Sequence, residues 1–171
     1  METIWYALLG AAFATYLALG GCDYGVGLLL DRRAPEAARR ATLNALGPFF
    51  LGNEVWLVVT AGLLFGAFPA LEGELLSGLF PLVGAGVAGA VLVTVGVGLR
   101  SRPAGARQRA GWDALITAGS VLAAGGWGAV LGGLLQGVPP GGPTAAVLTP
   151  FTAGTGLAVL ALCAAQGATF L

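Results

Sequence analysis

Five long apolar stretches, parted by short polar ones, make up most of this chain. A helix rises 1.5 Å per residue, so roughly 20 mainly apolar residues cross a hydrocarbon core about 30 Å thick. The stretches run from about Thr3 to Leu30, Pro48 to Phe68, Leu75 to Leu99, Trp112 to Leu135 and Val147 to Leu171. Each reads as a transmembrane helix. Trp5 and Tyr6 suit an interfacial belt at the start of the first. Pro48 reads as first-turn punctuation of the second, and Pro69 as the stop after it. Between Pro35 and Gly47, PEAARRATLNALG reads as a separate short helix, with Glu36 as its early acid. Its setting, along the membrane interface or simply between spans, is open.

Composition agrees. The chain is 57% hydrophobic and only 9% charged, where a soluble domain is about 25% charged. Its mean hydropathy is +0.86. Thirty glycines suit closely packed membrane helices. The expected fold is an all-α integral membrane protein. Residues 1–171 would form one transmembrane helical domain of about five spans, four of them in an antiparallel bundle.

Charge then sets direction. All eight basic residues are arginines, in two loops: Arg32, Arg33, Arg39 and Arg40, then Arg100, Arg102, Arg107 and Arg109. The alternate loops, LEGE and QGVPPGGPTAA, have none. The positive-inside rule therefore predicts an outside N-terminus and two cytoplasmic arginine loops. The zero net charge gives no sign of nucleic-acid binding. Histidine is absent and the one methionine is the initiator. That removes the usual axial ligands of haem iron and the commonest zinc and copper ligands, so no metal or cofactor is expected on this chain. Cys22 and Cys163 read as small packing residues.

Against this background the acids stand out. Asp23 precedes Leu30 by seven residues, about 10 Å of helix. Glu54 follows Pro48 by six, about 9 Å from the same side. An ionised acid facing lipid costs about 2.5–3.5 kcal/mol on insertion scales, so both should point inward. Asn53, Thr94, Thr117, Ser120 and Gln166 also fall in the cytoplasmic halves of their spans. Gly20 and Gly27 flank Asp23 at helical spacing and allow close approach of another helix. Spacing alone gives helix packing and proton transfer similar weight, with cation binding behind both. Asp113, beside Trp112, reads as a helix N-terminal acid favoured by the dipole, ahead of a place at a proton entrance. Thr149, Thr152 and Thr155 read as backbone-bonding threonines, and Trp56 and Trp127 as packing residues.

The motifs GGCDYGVGLLLDR and LNALGPFFLGNEVWLVVTAGLLFGAFP, then LLQGVP and QGATFL, resemble subunit II of the cytochrome bd ubiquinol oxidases. The match in order and spacing extends along nearly the whole chain. The resemblance implies a subunit of a respiratory oxidase of the bacterial inner membrane, which oxidises ubiquinol or menaquinol and reduces dioxygen to water. It implies a partner, the haem-bearing subunit I, holding haem b and haem d. Subunit II then stabilises that partner and is associated with bringing cytoplasmic protons to the oxygen site. Asp23 occupies the family's D-x-G-V-G position and Glu54 its G-N-[EQ]-V-W position. In this reading both are relay or loading groups, and Asn53, Thr94, Thr117 and Ser120 hold waters between them.

Two departures accompany the resemblance. Leu51 stands where the family commonly has an aspartate associated with proton uptake. The family's subunit is also longer, and the abrupt close on GATFL suggests a coding fragment or one half of a larger architecture. A different class of reading is a half-bundle ion or solute transporter. Broken helices around a midplane site would favour it, but here the polar residues lie off-centre. A third is a purely structural assembly subunit.

Overall fold

A computed structural model describes residues 2–102, 105–137 and 148–171. The loop QGVPPGGPTAA beyond Gly137, the expected start of the fifth span at Val147 and the end of the LLQGVP motif lie outside the described residues. The elements are α1 (Glu2–Leu28), α2 (Glu36–Ala67), α3 (Pro69–Gly78), α4 (Phe80–Arg100), α5 (Ala106–Gln136) and α6 (Pro150–Phe170). No strand occurs among the described residues. Five of the helices, all but α3, are long and apolar enough to cross a membrane.

Several element boundaries differ from the sequence reading: the third span starts at Phe80, not Leu75, and the fourth at Ala106, not Trp112. The short helix expected at Pro35–Gly47 and the span expected from Pro48 form one continuous helix, α2, with Pro48 inside it. A first-turn proline and an internal proline look alike in sequence. Inside a helix the ring removes only one N–H bond, which membrane helices tolerate. At 32 residues α2 is about 48 Å long, well beyond a hydrocarbon core of about 30 Å. Its first turns therefore project past the apolar span. The segment LEGE is not a loop but part of α3, which opens with Pro69 and carries Glu72 in its first turn. Both features favour a helix start. Pro81, in the first turn of α4, marks the new start after Leu79.

Helix α1 packs against α2, α5 and α6, and α5 also packs against α4 and α6. Glycine makes the closest of these approaches possible. A side chain at Gly25 would run into the backbone of Cys163 and Gly167 on α6, and one at Gly89 into that of Ala123 on α5. The aromatic centre follows the same logic. Trp127 stands edge-on to Phe13 and Tyr16, with ring centroids 5.8 and 5.7 Å apart, and lies over the bare backbone of Gly86. Helix α2 is the least enclosed span, with Leu51, Val55, Val58 and Phe65 on its outer surface.

The threonines of α6 bond as expected. Thr149 caps the helix by accepting from the Thr152 N–H at 3.2 Å, and the Thr152 hydroxyl accepts from the Thr149 N–H at 2.9 Å. The Thr155 hydroxyl donates to the Thr152 carbonyl at 3.0 Å.

Candidate functional site

Two polar groups of residues are built on this frame. The first lies within the spans, where α1 meets α2. Asp23 is only 1% exposed. Its carboxylate accepts a hydrogen bond from Asn53 Nδ2 at 2.9 Å, and the same amide lies 3.5 Å from the Leu19 carbonyl. One residue along each helix, Tyr24 donates to Glu54 Oε1 at 3.2 Å. The Tyr24 hydroxyl in turn meets that of Tyr16 at 2.5 Å. Both tyrosine rings lie beside Gly20. Neighbouring positions on α1 (Asp23, Tyr24) thus join neighbouring positions on α2 (Asn53, Glu54).

The other sequence candidates do not belong to this hydrogen-bonded set. Thr94 bonds the Ala90 carbonyl of its own helix at 2.9 Å, and Thr117 bonds that of Asp113 at 3.1 Å. Ser120 is fully buried against Gly27 of α1, one turn from Asp23, and its hydroxyl has no partner among the described residues. Gln166 lies against Gly21, also on α1. Leu51 is 71% exposed on the outside of α2.

The second group lies at the arginine end, where the projecting turns of α2 and α5 meet the last turn of α4. Asp113 is fully buried. It accepts from Arg39 Nη1 at 2.5 Å, from Arg100 Nη2 at 3.3 Å and from Arg100 Nε. Glu36 accepts from Arg39 Nη2 at 3.0 Å and Arg100 Nη2 at 3.1 Å. Arg109 and Arg40 approach the same carboxylate at 3.5 and 4.0 Å. The expectation that Asp113 is an N-terminal dipole acid is therefore wrong. Helix α5 starts at Ala106, so Asp113 lies past its first turn, and a macrodipole acts only within that turn. What holds Asp113 is two guanidinium groups from other helices.

Sequence reasoning missed both the tyrosine pair and this ion cluster. The spacing of Tyr16, Gly20, Tyr24 and Gly27 was a usable signal, since all fall within about a quarter turn on α1. The cluster's signal was the sharing of one membrane end by Glu36, Asp113 and all the arginines.

Chemically the two differ. The ion cluster consists of charge-assisted, partly bidentate bonds, the strongest kind a protein makes. The set within the spans holds two carboxylates and no cation, in two separate bonded groups: Asp23 with the Asn53 amide, and Glu54 with the Tyr24 and Tyr16 hydroxyls. A carboxylate can take up and release a proton; the Asn53 amide here only donates to Asp23. Among the described residues no cluster of His, Cys, Asp and Glu suits a metal ion.

The family model for cytochrome bd terminal oxidase subunit II matches residues 1–171. Cytochrome bd-I ubiquinol oxidase subunit 2 of Escherichia coli K12 is 33% identical over 184 residues, covering 100% of this chain and 48% of its own length. Cytochrome bd ubiquinol oxidase subunit 2 of Bacillus subtilis is 37% identical over 97 residues, covering 52% of this chain and 29% of its own. A probable cytochrome oxidase subunit 2 of Haemophilus influenzae is 31% identical over 140 residues, covering 81% and 37%. The chain thus spans about half or less of the length of these relatives. With its five apolar helices, it is a multi-pass protein of the bacterial inner membrane and belongs to the cytochrome bd terminal oxidase subunit II family.

Proposed function

We propose that this chain serves in a bd-type quinol:dioxygen oxidase as the subunit that braces a haem-bearing partner and conducts cytoplasmic protons through the buried Asp23 and the half-buried Glu54. The observation that carries the proton role is the junction of α1 and α2. Asp23 is shielded from lipid and tied to Asn53, and Glu54 is tied to Tyr24. Reduction of dioxygen to water consumes protons, and these must cross a low-dielectric interior. Ionisable groups inside membrane spans are expensive and are kept where they move ions or protons.

The chain has no histidine and its only methionine is Met1, so it lacks the commonest axial ligands of haem iron. Haem b and haem d are accordingly assigned to the partner, together with the oxidation of ubiquinol or menaquinol. The partner is expected against exposed apolar surface such as that of α2, lipid covering the rest. Residues 1–171 act as one domain, with four of the five spans in an antiparallel bundle. The N-terminus lies outside, so the ion cluster is cytoplasmic and Asp23 and Glu54 lie in the inner half of the membrane. Asp23, Asn53 and Glu54 are the core of the route. Ser120 faces the same helix, and Thr94 and Thr117 reach it only through water. The transporter alternative gains no support from the family.

The test is oxidase turnover in Asp23→Asn and Glu54→Gln, in complexes whose haem content equals that of the unaltered protein. Turnover should fall at least about tenfold in one or both, as removal of a positioned proton-transfer group commonly costs 10²–10⁴-fold. Unchanged turnover in both would leave the chain a structural subunit.

A further inference from the structure

A cavity of about 230 Å³ opens at the arginine end between α2 and α4, lined by Arg40, Leu43, Asn44, Val97, Arg100 and Ser101. It has no part in the proton route. No carboxylate lines it, and every polar side chain in its wall carries a hydrogen-bond donor. Arg40 is 61% exposed and 4.0 Å from Glu36, a distance too long for a hydrogen bond. Neither its guanidinium nor the Asn44 amide makes a side-chain hydrogen bond among the described residues. Arg100 closes the inner wall. It is already engaged by Asp113 and Glu36, so it is held in place and does not need the ligand to order it.

Charge points the same way. Setting Arg109 aside, three guanidinium groups (Arg39, Arg40, Arg100) face two carboxylates (Glu36, Asp113), leaving an excess of 3 − 2 = 1 positive charge. The C-terminal dipole of α4 works against an anion here. A dipole end carries only about half a charge, however, less than the one positive charge in excess. Guanidinium forks match phosphate oxygens. Leu43 and Val97 supply an apolar edge where Val97 enters the α4 span.

We propose that this cavity binds the phosphate of an anionic phospholipid, with the headgroup between Arg40, Asn44 and Arg100 and the acyl chains running down the groove between α2 and α4. Basic pockets between membrane helices hold such headgroups on the cytoplasmic side. The lipid would pin the projecting start of α2 to α4.

The test uses the purified oxidase complex in nanodiscs containing phosphatidylglycerol and phosphatidylethanolamine, with native mass spectrometry of the lipid retained on release. Phosphatidylglycerol should be enriched, and Arg40→Gln should reduce that enrichment by about fivefold, the usual worth of one arginine near an anionic surface. Arg102→Gln removes the same charge from the α4–α5 loop outside the cavity and should leave the enrichment unchanged. If Arg40→Gln fails to assemble, Asn44→Ala supplies the second variant, with a smaller loss in the same direction. Absence of enrichment, or an equal effect of the Arg102 and Arg40 substitutions, would overturn the site. Displacement of the lipid by millimolar inorganic phosphate would overturn the lipid source and reassign the cavity to a free anion.

Discussion

The arginine-end cluster and the set within the spans contain two carboxylates each, yet they are built in opposite ways. Glu36 and Asp113 are gripped by arginines from α2, α4 and α5, so that every strong bond crosses from one helix to another or returns to Glu36. Asp23 and Glu54 have one side-chain hydrogen bond each, from a neutral donor on the neighbouring helix. The first arrangement fixes positions. The second leaves carboxylate oxygens uncommitted in a place where commitment would be rewarded. On the proposed reading, stability and proton handling are segregated along the helix axis, and substitutions should separate them.

The largest effect is expected at Asp113. Changing it to Asn strips the charge from a fully buried group and leaves Arg39 and Arg100 facing a neutral amide. Breaking a buried pair from one side typically costs 3–5 kcal/mol, because the remaining charge stays buried. Thermal unfolding of the purified complex should show a loss on that scale in Asp113→Asn. Adding Arg100→Met to the same variant should recover part of it, since removing both partners is cheaper than removing one. Glu36→Gln should cost less, about 1.5–3 kcal/mol, the range for hydrogen bonds to charged groups, because its side chain keeps 32% exposure.

How far each region could be read from sequence follows from the same contrast. Asp23, Asn53 and Glu54 announce themselves, because an ionisable or amide side chain inside an apolar run is costly unless it has a partner or a task. Their common depth then follows from the helix rise alone. The five spans were equally plain from their length and polarity. The ion cluster was hidden because its members lie 64 and 74 positions apart and each had a sufficient local role: a first-turn acid, an interfacial arginine, a dipole acid. Pro48 misled for a different reason. Its ring permits either a helix start or a tolerated interruption, and only the packing of the projecting turns against α4 and α5 decides between them. Tyr16 and Tyr24 went unremarked because an aromatic in a span is ordinarily packing, and only the folded helices show that their hydroxyls meet.

Within the spans the effects on stability should be small even where those on turnover are large. Asp23→Asn keeps a group able to bond the Asn53 amide, so unfolding should move by no more than about 1 kcal/mol, near the ~0.6 kcal/mol average for hydrogen bonds between membrane helices. A loss as large as that of Asp113→Asn would mean that Asp23 is a brace.

The smallest and most discriminating change is Tyr24→Phe. It removes one hydroxyl, and with it both the donor to Glu54 and the contact with Tyr16, while the ring remains beside Gly20. Expected destabilisation is about 0.6 kcal/mol, measured by unfolding of the intact complex. Turnover is the second readout. Glu54 keeps its charge and position but loses the donor that orients it, so turnover should change if Glu54 handles protons and stay fixed if Glu54 only packs. A stability loss of several kcal/mol would show α1 and α2 held together by this tyrosine as firmly as the arginine end is held by Asp113. The division between a braced end and a loosely bonded interior would then fail.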